Sequence, residues 1–332
     1  MDKLSVIDMH TGGEPVRIVT GGYPAIPKGT ILEKRAWVRD NLDHLRRMLM
    51  FEPRGHYDMY GALLVEPDLP GADIAVLFMH NEGYSTMCGH AVIALGRYAV
   101  DQGLVAIREP LTTVNIECPC GMVVASVEVK DGKAAAVSFE SVPAFLFEAG
   151  RSVSLERYGS ISFDIAYGGA FYALADCRQF GLEFGRDRAR DFVDAASALT
   201  EKVKVEIPLS HPDHDDLAFL YGSILTDGGD GSSQPTRNVC VFAEAEVDRS
   251  PTGSGVTARL AAMHAKGELA LGELRTFESI VGSRFTGSVA RTVKAGAYDA
   301  VIARVGGRAF YSGKAEYWRE EGDELGRGFL VR

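Results

Sequence analysis

Two stretches of this chain are apolar on nearly every side, and each follows a turn of small and polar residues. The first runs on from Tyr84-Ser85-Thr86-Met87-Cys88-Gly89-His90, with Arg97 its only charge. That pattern predicts a helix buried in the middle of a domain and ending near Gly103, not one laid on a surface. The second follows Asp248-Arg249-Ser250-Pro251-Thr252-Gly253-Ser254-Gly255, with Val256, Leu260 and Met263 at helical spacing. Aligned without gaps, Cys88 falls on Thr252, Gly89 on Gly253, Val92 on Val256 and Ala94 on Ala258. The offset, 252 − 88 = 164, is close to half of the 332 residues. It predicts two similar domains, each presenting a helix N-terminus to the other across a cleft.

The weaker patterns fill in around these helices. Residues 6–19 read as two short strands broken by the polar turn His10-Thr11-Gly12-Gly13-Glu14-Pro15, whose His, Thr and Glu are candidates to face the cleft. Residues 41–51 are charged on one side and apolar on the other, an amphipathic surface helix. Residues 62–65 and 74–78 read as buried strands, and 113–118, 122–129 and 135–139 as strands with Asp131-Gly132 a hairpin turn. Residues 143–156 are expected to cross between domains. Beyond them, 160–166 and 171–175 form a strand pair around Gly168-Gly169, and 188–200 a second amphipathic helix. Further strands are expected over 276–280, 288–293 and 301–305. The order is too mixed for a doubly wound sheet, so the expected class is α+β. The expected domains are 1–145, carrying Cys88, and 146–310, carrying Thr252, with 311–332 packing back onto the first.

Composition narrows the partners. A hydrophobic content of 46% can supply two cores. The net charge of −10 has no acidic or basic block, which argues against nucleic acid or anionic membrane. The N-terminus lacks a signal-peptide apolar core, and no window is long enough to span a bilayer. Five cysteines without regular spacing fit a reducing cytoplasm. Cys118-Pro119-Cys120 reads as a strand-and-turn element. His211-Pro212-Asp213-His214-Asp215-Asp216 carries imidazole and oxygen donors, but its turn residues explain it as a solvated loop. Gly228-Gly229-Asp230-Gly231-Ser232-Ser233 lacks the Gly-Lys-Ser/Thr ending of a phosphate loop and reads as a flexible loop. No added metal and no nucleotide is therefore expected.

Cys88 is the candidate for chemistry. A thiol at a helix N-terminus meets unpaired amides and roughly half a positive charge, which favours the thiolate. A thiolate there can take a proton from carbon or attack an electrophile. The competing view is a small core residue, since free cysteine is among the most buried types.

Both focal stretches resemble those of the proline racemase family, in which Met-Cys-Gly-His and Asp-Arg-Ser-Pro-Cys-Gly-Thr-Gly carry two catalytic cysteines. The resemblance includes the opening Asp8-Met9-His10-Thr11-Gly12-Gly13-Glu14-Pro15, the Tyr167-Gly168-Gly169-Ala170-Phe171-Tyr172-Ala173 strand and the closing Gly328-Phe329-Leu330. It implies a diaminopimelate-epimerase-like fold of two pseudo-symmetric domains, each a mixed sheet around a central helix, and a site without metal or cofactor. It also implies that Gly89, His90, Asp248, Gly253 and Ser254 line the substrate pocket. Backbone amides would hold a carboxylate, while Asp248 and His90 would face a ring nitrogen.

The departure lies at position 252, which is Thr where racemases have Cys, and at 254, which is Ser in place of Thr. Two-base racemisation needs one group to remove the α-proton and another, on the opposite face, to return one. A threonine hydroxyl is a poor base and a poor acid near pH 7. One thiolate still suffices to start an elimination, and the Cys/Thr pairing is that of the dehydratases within this family. The expectation is a hydro-lyase acting on trans-3-hydroxy-L-proline, with Cys88 the base and Thr252 orienting the departing hydroxyl. Two alternatives stay open: a racemase or epimerase of proline or hydroxyproline, and a non-catalytic binder of imino acids. The oligomeric state is also open, a homodimer among the options.

Overall fold

The computed structural model describes residues 3–331, and its class is α+β. The chain divides into two compact units. One runs to Ser138 and resumes at Arg308, and the other is Phe139–Gly307.

In the first unit the order is β1 (Leu4–Thr11), β2 (Glu14–Gly21), α1 (Ile31–Met50), β3 (Gly61–Val65), β4 (Ile74–Met79), α2 (Gly89–Asp101), β5 (Leu111–Cys118) and β6 (Gly121–Lys130). Then β7 (Lys133–Glu140) carries the chain across the division. Successive strands pair antiparallel, parallel, antiparallel, parallel, antiparallel from β1 to β6.

The second unit opens with β8 (Ala144–Leu155), β9 (Gly159–Tyr167), β10 (Phe171–Asp176), α3 (Ala189–Glu206), β11 (Leu220–Thr226), β12 (Thr236–Phe242) and the short β13 (Glu246–Val247). It closes with α4 (Gly253–Ala265), β14 (Arg275–Glu278), β15 (Arg284–Ala295) and β16 (Tyr298–Gly307). From β9 through β10, β11, β12 and β14 to β15 the same alternation of pairings recurs. β16 then pairs with both β15 and β8, and β8 with β9, which closes the ring of strands around α4. After it, β17 (Ala309–Tyr317) returns to the first unit and pairs antiparallel with β1.

The repeat is therefore structural as well as sequential. In each unit one helix crosses between the first two parallel strands, and a second, largely apolar helix follows the next antiparallel pair. The second kind is α2 and α4, each 13 residues long. Ala91, Val92, Ile93, Ala94 and Leu95 in α2, and Val256, Ala258 and Leu260 in α4, are completely buried. A helix buried on every face has no polar stripe, which is why its sequence shows none.

Three expectations need correction. The helix expected over 41–51 begins ten residues earlier, at Ile31, where Thr30 and Glu33 form a reciprocal capping box that satisfies two of the first turn's donors. The expected crossing over 143–156 is the strand β8, and residues 309–317 form a strand the pattern did not suggest. Among the described residues no helix is long and apolar enough to cross a membrane.

Candidate functional site

In the first unit, Cys88 is the N-cap of α2, extended at φ −147°, and only 5% exposed. Its Sγ accepts from the amide of Ala91 at 3.4 Å, so the sulfur takes up one of the donors that a helix start leaves without an intrahelical acceptor. Nδ1 of His90 lies 3.0 Å from the same sulfur. The ring's Nε2 is 3.2 Å from the carbonyl of Pro15, which can only accept. That carbonyl therefore holds the proton on Nε2 and leaves Nδ1 of the neutral imidazole as an acceptor for the thiol proton. The pair can pass a proton from sulfur to nitrogen and expose a thiolate.

Several elements hold this pair in place. Thr11 Oγ1 donates to the carbonyl of His90 at 2.8 Å. Of the polar opening turn, Thr11 and Pro15 thus support the start of α2. His10 instead accepts from the Gly13 amide and stacks on Phe310. Tyr60 carried no sequence motif, yet its buried ring meets the His90 ring edge-on with centroids 4.9 Å apart. Its hydroxyl is hydrogen-bonded to Ser85. Only an aromatic residue just before a strand marks it, and that signal is too common to single it out.

The other thiols of this unit are of a different kind. Burial pushes the Cys118 thiol well up and the Cys120 thiol to about 12. Neither begins a helix, so both stay protonated packing groups.

In the second unit, Thr252 is the N-cap of α4 and also 5% exposed. Its φ is +65°, a conformation that costs a β-branched residue about 1–3 kcal/mol. The methyl faces Gly255, where a Cβ would come within 3.1 Å of Thr252 Cγ2 and 2.5 Å of Ile224 Cδ1, so a larger residue there would press on the methyl and displace the end of Ile224. Oγ1 has no hydrogen-bond partner among the described residues. A buried, strained hydroxyl without a partner is an expensive arrangement that packing alone does not call for.

The neighbours expected to line a pocket are gathered at the same helix start. Asp248, 2% exposed, accepts from the Ser250 amide at 2.7 Å. Gly253 and Ser254 are the first two residues of α4, and Ser254 Oγ is 2.7 Å from the hydroxyl of Tyr172. Gly168 lies so close to α4 that a Cβ there would sit 2.2 Å from the carbonyl oxygen of Ser254, which accounts for glycine in that turn.

The His211 loop has its own local explanation. His211 Nδ1 accepts from the amides of Asp213 and His214, and its ring packs 4.7 Å from that of Tyr167. No group of three or more His, Cys, Asp or Glu side chains among the described residues is placed to hold a metal ion.

The family model described as proline racemase matches residues 6–330. The chain belongs to the proline racemase family. Within that family it is 57% identical to a trans-L-3-hydroxyproline dehydratase of Xenopus tropicalis, covering 99% of this chain and 95% of the relative. It is 54% identical to the trans-3-hydroxy-L-proline dehydratase of Homo sapiens, over 99% of this chain and 95% of that one. Among solved proline racemase-like structures, a hydroxyproline epimerase from Agrobacterium vitis, with bound trans-4-hydroxy-L-proline, superposes with a TM-score of 0.93. That structure shares 31% identity and the match covers 99% of this chain and 96% of the other.

Proposed function

We propose that this member of the proline racemase family is a trans-3-hydroxy-L-proline dehydratase, a hydro-lyase that forms Δ1-pyrroline-2-carboxylate and water. One observation carries the reading: equivalent helix N-caps bear a thiol paired with an imidazole in one unit and an alcohol in the other. An enzyme that removes a proton on one face and returns one on the other needs two ionisable groups, and here one of the two positions is Thr252.

In this reading His90 Nδ1 takes the Cys88 proton and the thiolate removes the α-proton. Amides at the starts of α2 and α4 hold the carboxylate and the charge that develops on it. The electron pair of the Cα–H bond becomes the ring double bond as the C3–O bond breaks. Thr252 Oγ1 donates to the departing oxygen. The departing hydroxide is protonated at the expense of the proton that His90 took from Cys88, while Cys88 keeps the former α-proton. The net loss is water, and the enamine then tautomerises to the imine. Asp248 faces the ring nitrogen, which is cationic in the bound imino acid.

The test is to incubate the protein separately with trans-3-hydroxy-L-proline, trans-4-hydroxy-L-proline and L-proline, following pyrroline formation and optical rotation. Pyrroline from the first substrate and unchanged rotation of the other two are expected. Rapid racemisation of L-proline with no pyrroline from trans-3-hydroxy-L-proline would overturn the reading.

A further inference from the structure

Arg259 lies on α4, 6% exposed, and each of its three hydrogen bonds goes to a neutral acceptor. These are Asn238 Oδ1 at 2.9 Å, Thr236 Oγ1 at 2.8 Å and the Gly229 carbonyl at 3.3 Å, with the guanidinium also 4.9 Å from the centroid of the Phe277 ring. Burial pulls its pKa down to about 10, so it remains a cation at neutral pH. Its nearest anion, Asp227, is not in direct contact: it accepts from Thr236 Oγ1 and holds the pKa up only in part. A buried cation with no carboxylate in its own hydrogen-bond shell is costly and calls for a reason.

Its effect on Asn238 supplies one. Arginine only donates, so the Asn238 amide must turn its oxygen to Arg259 and its nitrogen the other way. That nitrogen, Nδ2, donates to the Pro251 carbonyl at 3.0 Å. The same peptide group carries the Thr252 amide, which donates to Ser250 Oγ at 3.1 Å. Ser250 is completely buried and is itself held through its amide by Asp248. The peptide before Thr252 is thus gripped at both its oxygen and its nitrogen. On the far side, the Thr252 carbonyl accepts from the Val256 amide at 2.7 Å and is fixed by α4. With both flanking peptide planes pinned, Thr252 cannot leave φ +65° for the favoured negative region.

We propose that Asn238, set by Arg259, acts with Ser250 as a positioning residue that clamps the Pro251–Thr252 peptide and aims the Thr252 hydroxyl at the leaving group. The inference rests on the dehydratase reading. Released from the clamp, Thr252 relaxes and its hydroxyl turns away from the departing oxygen, while proton removal by Cys88 is untouched. A misplacement of about 1 Å can cost about 100-fold in rate.

The experiment separates the two steps. In deuterated water, deuterium at Cα of recovered trans-3-hydroxy-L-proline reports proton removal and return, and pyrroline reports elimination. Asn238→Asp keeps an oxygen for Arg259 but loses the donor to Pro251, and Ser250→Ala frees the other end of the same peptide. Each variant is expected to raise the ratio of exchange to elimination about tenfold or more over wild type, with KM within about twofold. A merely structural role lowers the folded fraction and depresses both steps together, leaving the ratio unchanged. That result in either soluble variant overturns the proposal, and Ser250→Ala decides alone if Asn238→Asp does not fold. A wild-type protein that forms no pyrroline at all would instead sink the dehydratase reading.

Discussion

Cys88 Sγ lies 3.0 Å from Nδ1 of His90, and the carbonyl of Pro15 on the ring's other nitrogen fixes which nitrogen can accept the thiol proton. Two substitutions follow. Cys88→Ser removes one readily ionised group with little change in volume, so turnover is expected to vanish while the melting temperature and circular dichroism stay near wild type. His90→Gln removes the imidazole acceptor and is expected to lower kcat about 100-fold or more, the usual weight of a positioned proton acceptor. A Cys88→Ser protein with near wild-type turnover would mean that another residue is the base.

Asp248 has a structural and a proposed binding role, and a well-chosen substitution separates them. Its Oδ1 accepts from the Ser250 amide, and Asp248→Asn retains that acceptor while losing the charge. The fold is expected to hold while substrate binding weakens. Removing one partner of a buried charged pair costs about 2–5 kcal/mol, so KM for trans-3-hydroxy-L-proline should rise more than tenfold. Unchanged KM and kcat would show that Asp248 does not meet the ring nitrogen.

His80 links the site's surroundings to pH. Burial, with the nearby Arg46 and Arg35 cations, pulls its pKa from 6.5 to about 3, and its ring stacks beside that of Tyr60. The folded state therefore refuses a proton that the unfolded chain accepts below about pH 6.5. Its contribution to stability is present above that pH and is lost as the pH falls toward 3, amounting to about 2 kcal/mol by pH 5. Urea melts between pH 7 and 5 are expected to show that loss. His80→Asn, which keeps an acceptor for the Glu82 and Gly83 amides but cannot titrate, should show much less of it. Equal slopes for the two proteins would mean that other groups govern the acid limb.

The parts of the fold legible in the sequence are those where side chains alone carry the pattern. α2 and α4 are apolar on nearly every side, and 253 − 89 and 265 − 101 both give the 164-residue offset read from the aligned sequence. The first half of α1 was hidden because a cation takes a core position in it. Lys34 is buried there with its ammonium on the Glu66 carbonyl. Long aliphatic stems can serve as core while their heads find carbonyls, and a hydropathy pattern counts them as surface. β8 and β17 were hidden for a different reason. Their middles are exposed on both faces, so backbone pairing with neighbours holds them and no alternation marks them. At the site, the motif residues were readable, but Pro15 acts through its carbonyl, Tyr60 through ring contact and Asn238 through an amide set by Arg259. Contributions of that kind depend on where the chain folds, which no local pattern records.

In the proposed reading the choice of reaction rests on Thr252. Thr252→Cys would place a thiol at the start of α4, where the helix dipole and unpaired amides favour a thiolate. Cysteine lacks the β-branch, so the substitution also removes the methyl packed toward Gly255 and eases a positive φ that is hardest on branched residues. With an ionisable group at each of the two equivalent N-caps, inversion at the α-carbon becomes chemically possible. In deuterated water the variant is expected to exchange the α-proton of L-proline or trans-4-hydroxy-L-proline and slowly change its optical rotation. Elimination from trans-3-hydroxy-L-proline should fall in the same protein, because a thiol is a weaker hydrogen-bond donor to the departing oxygen than a hydroxyl. Thr252→Val isolates the second effect: it keeps the branch, supplies neither donor nor thiol, and is expected to lose elimination without gaining inversion. If Thr252→Val eliminates water at the wild-type rate, the hydroxyl has no part in the reaction, and the difference between thiol and alcohol at this position is not what selects elimination.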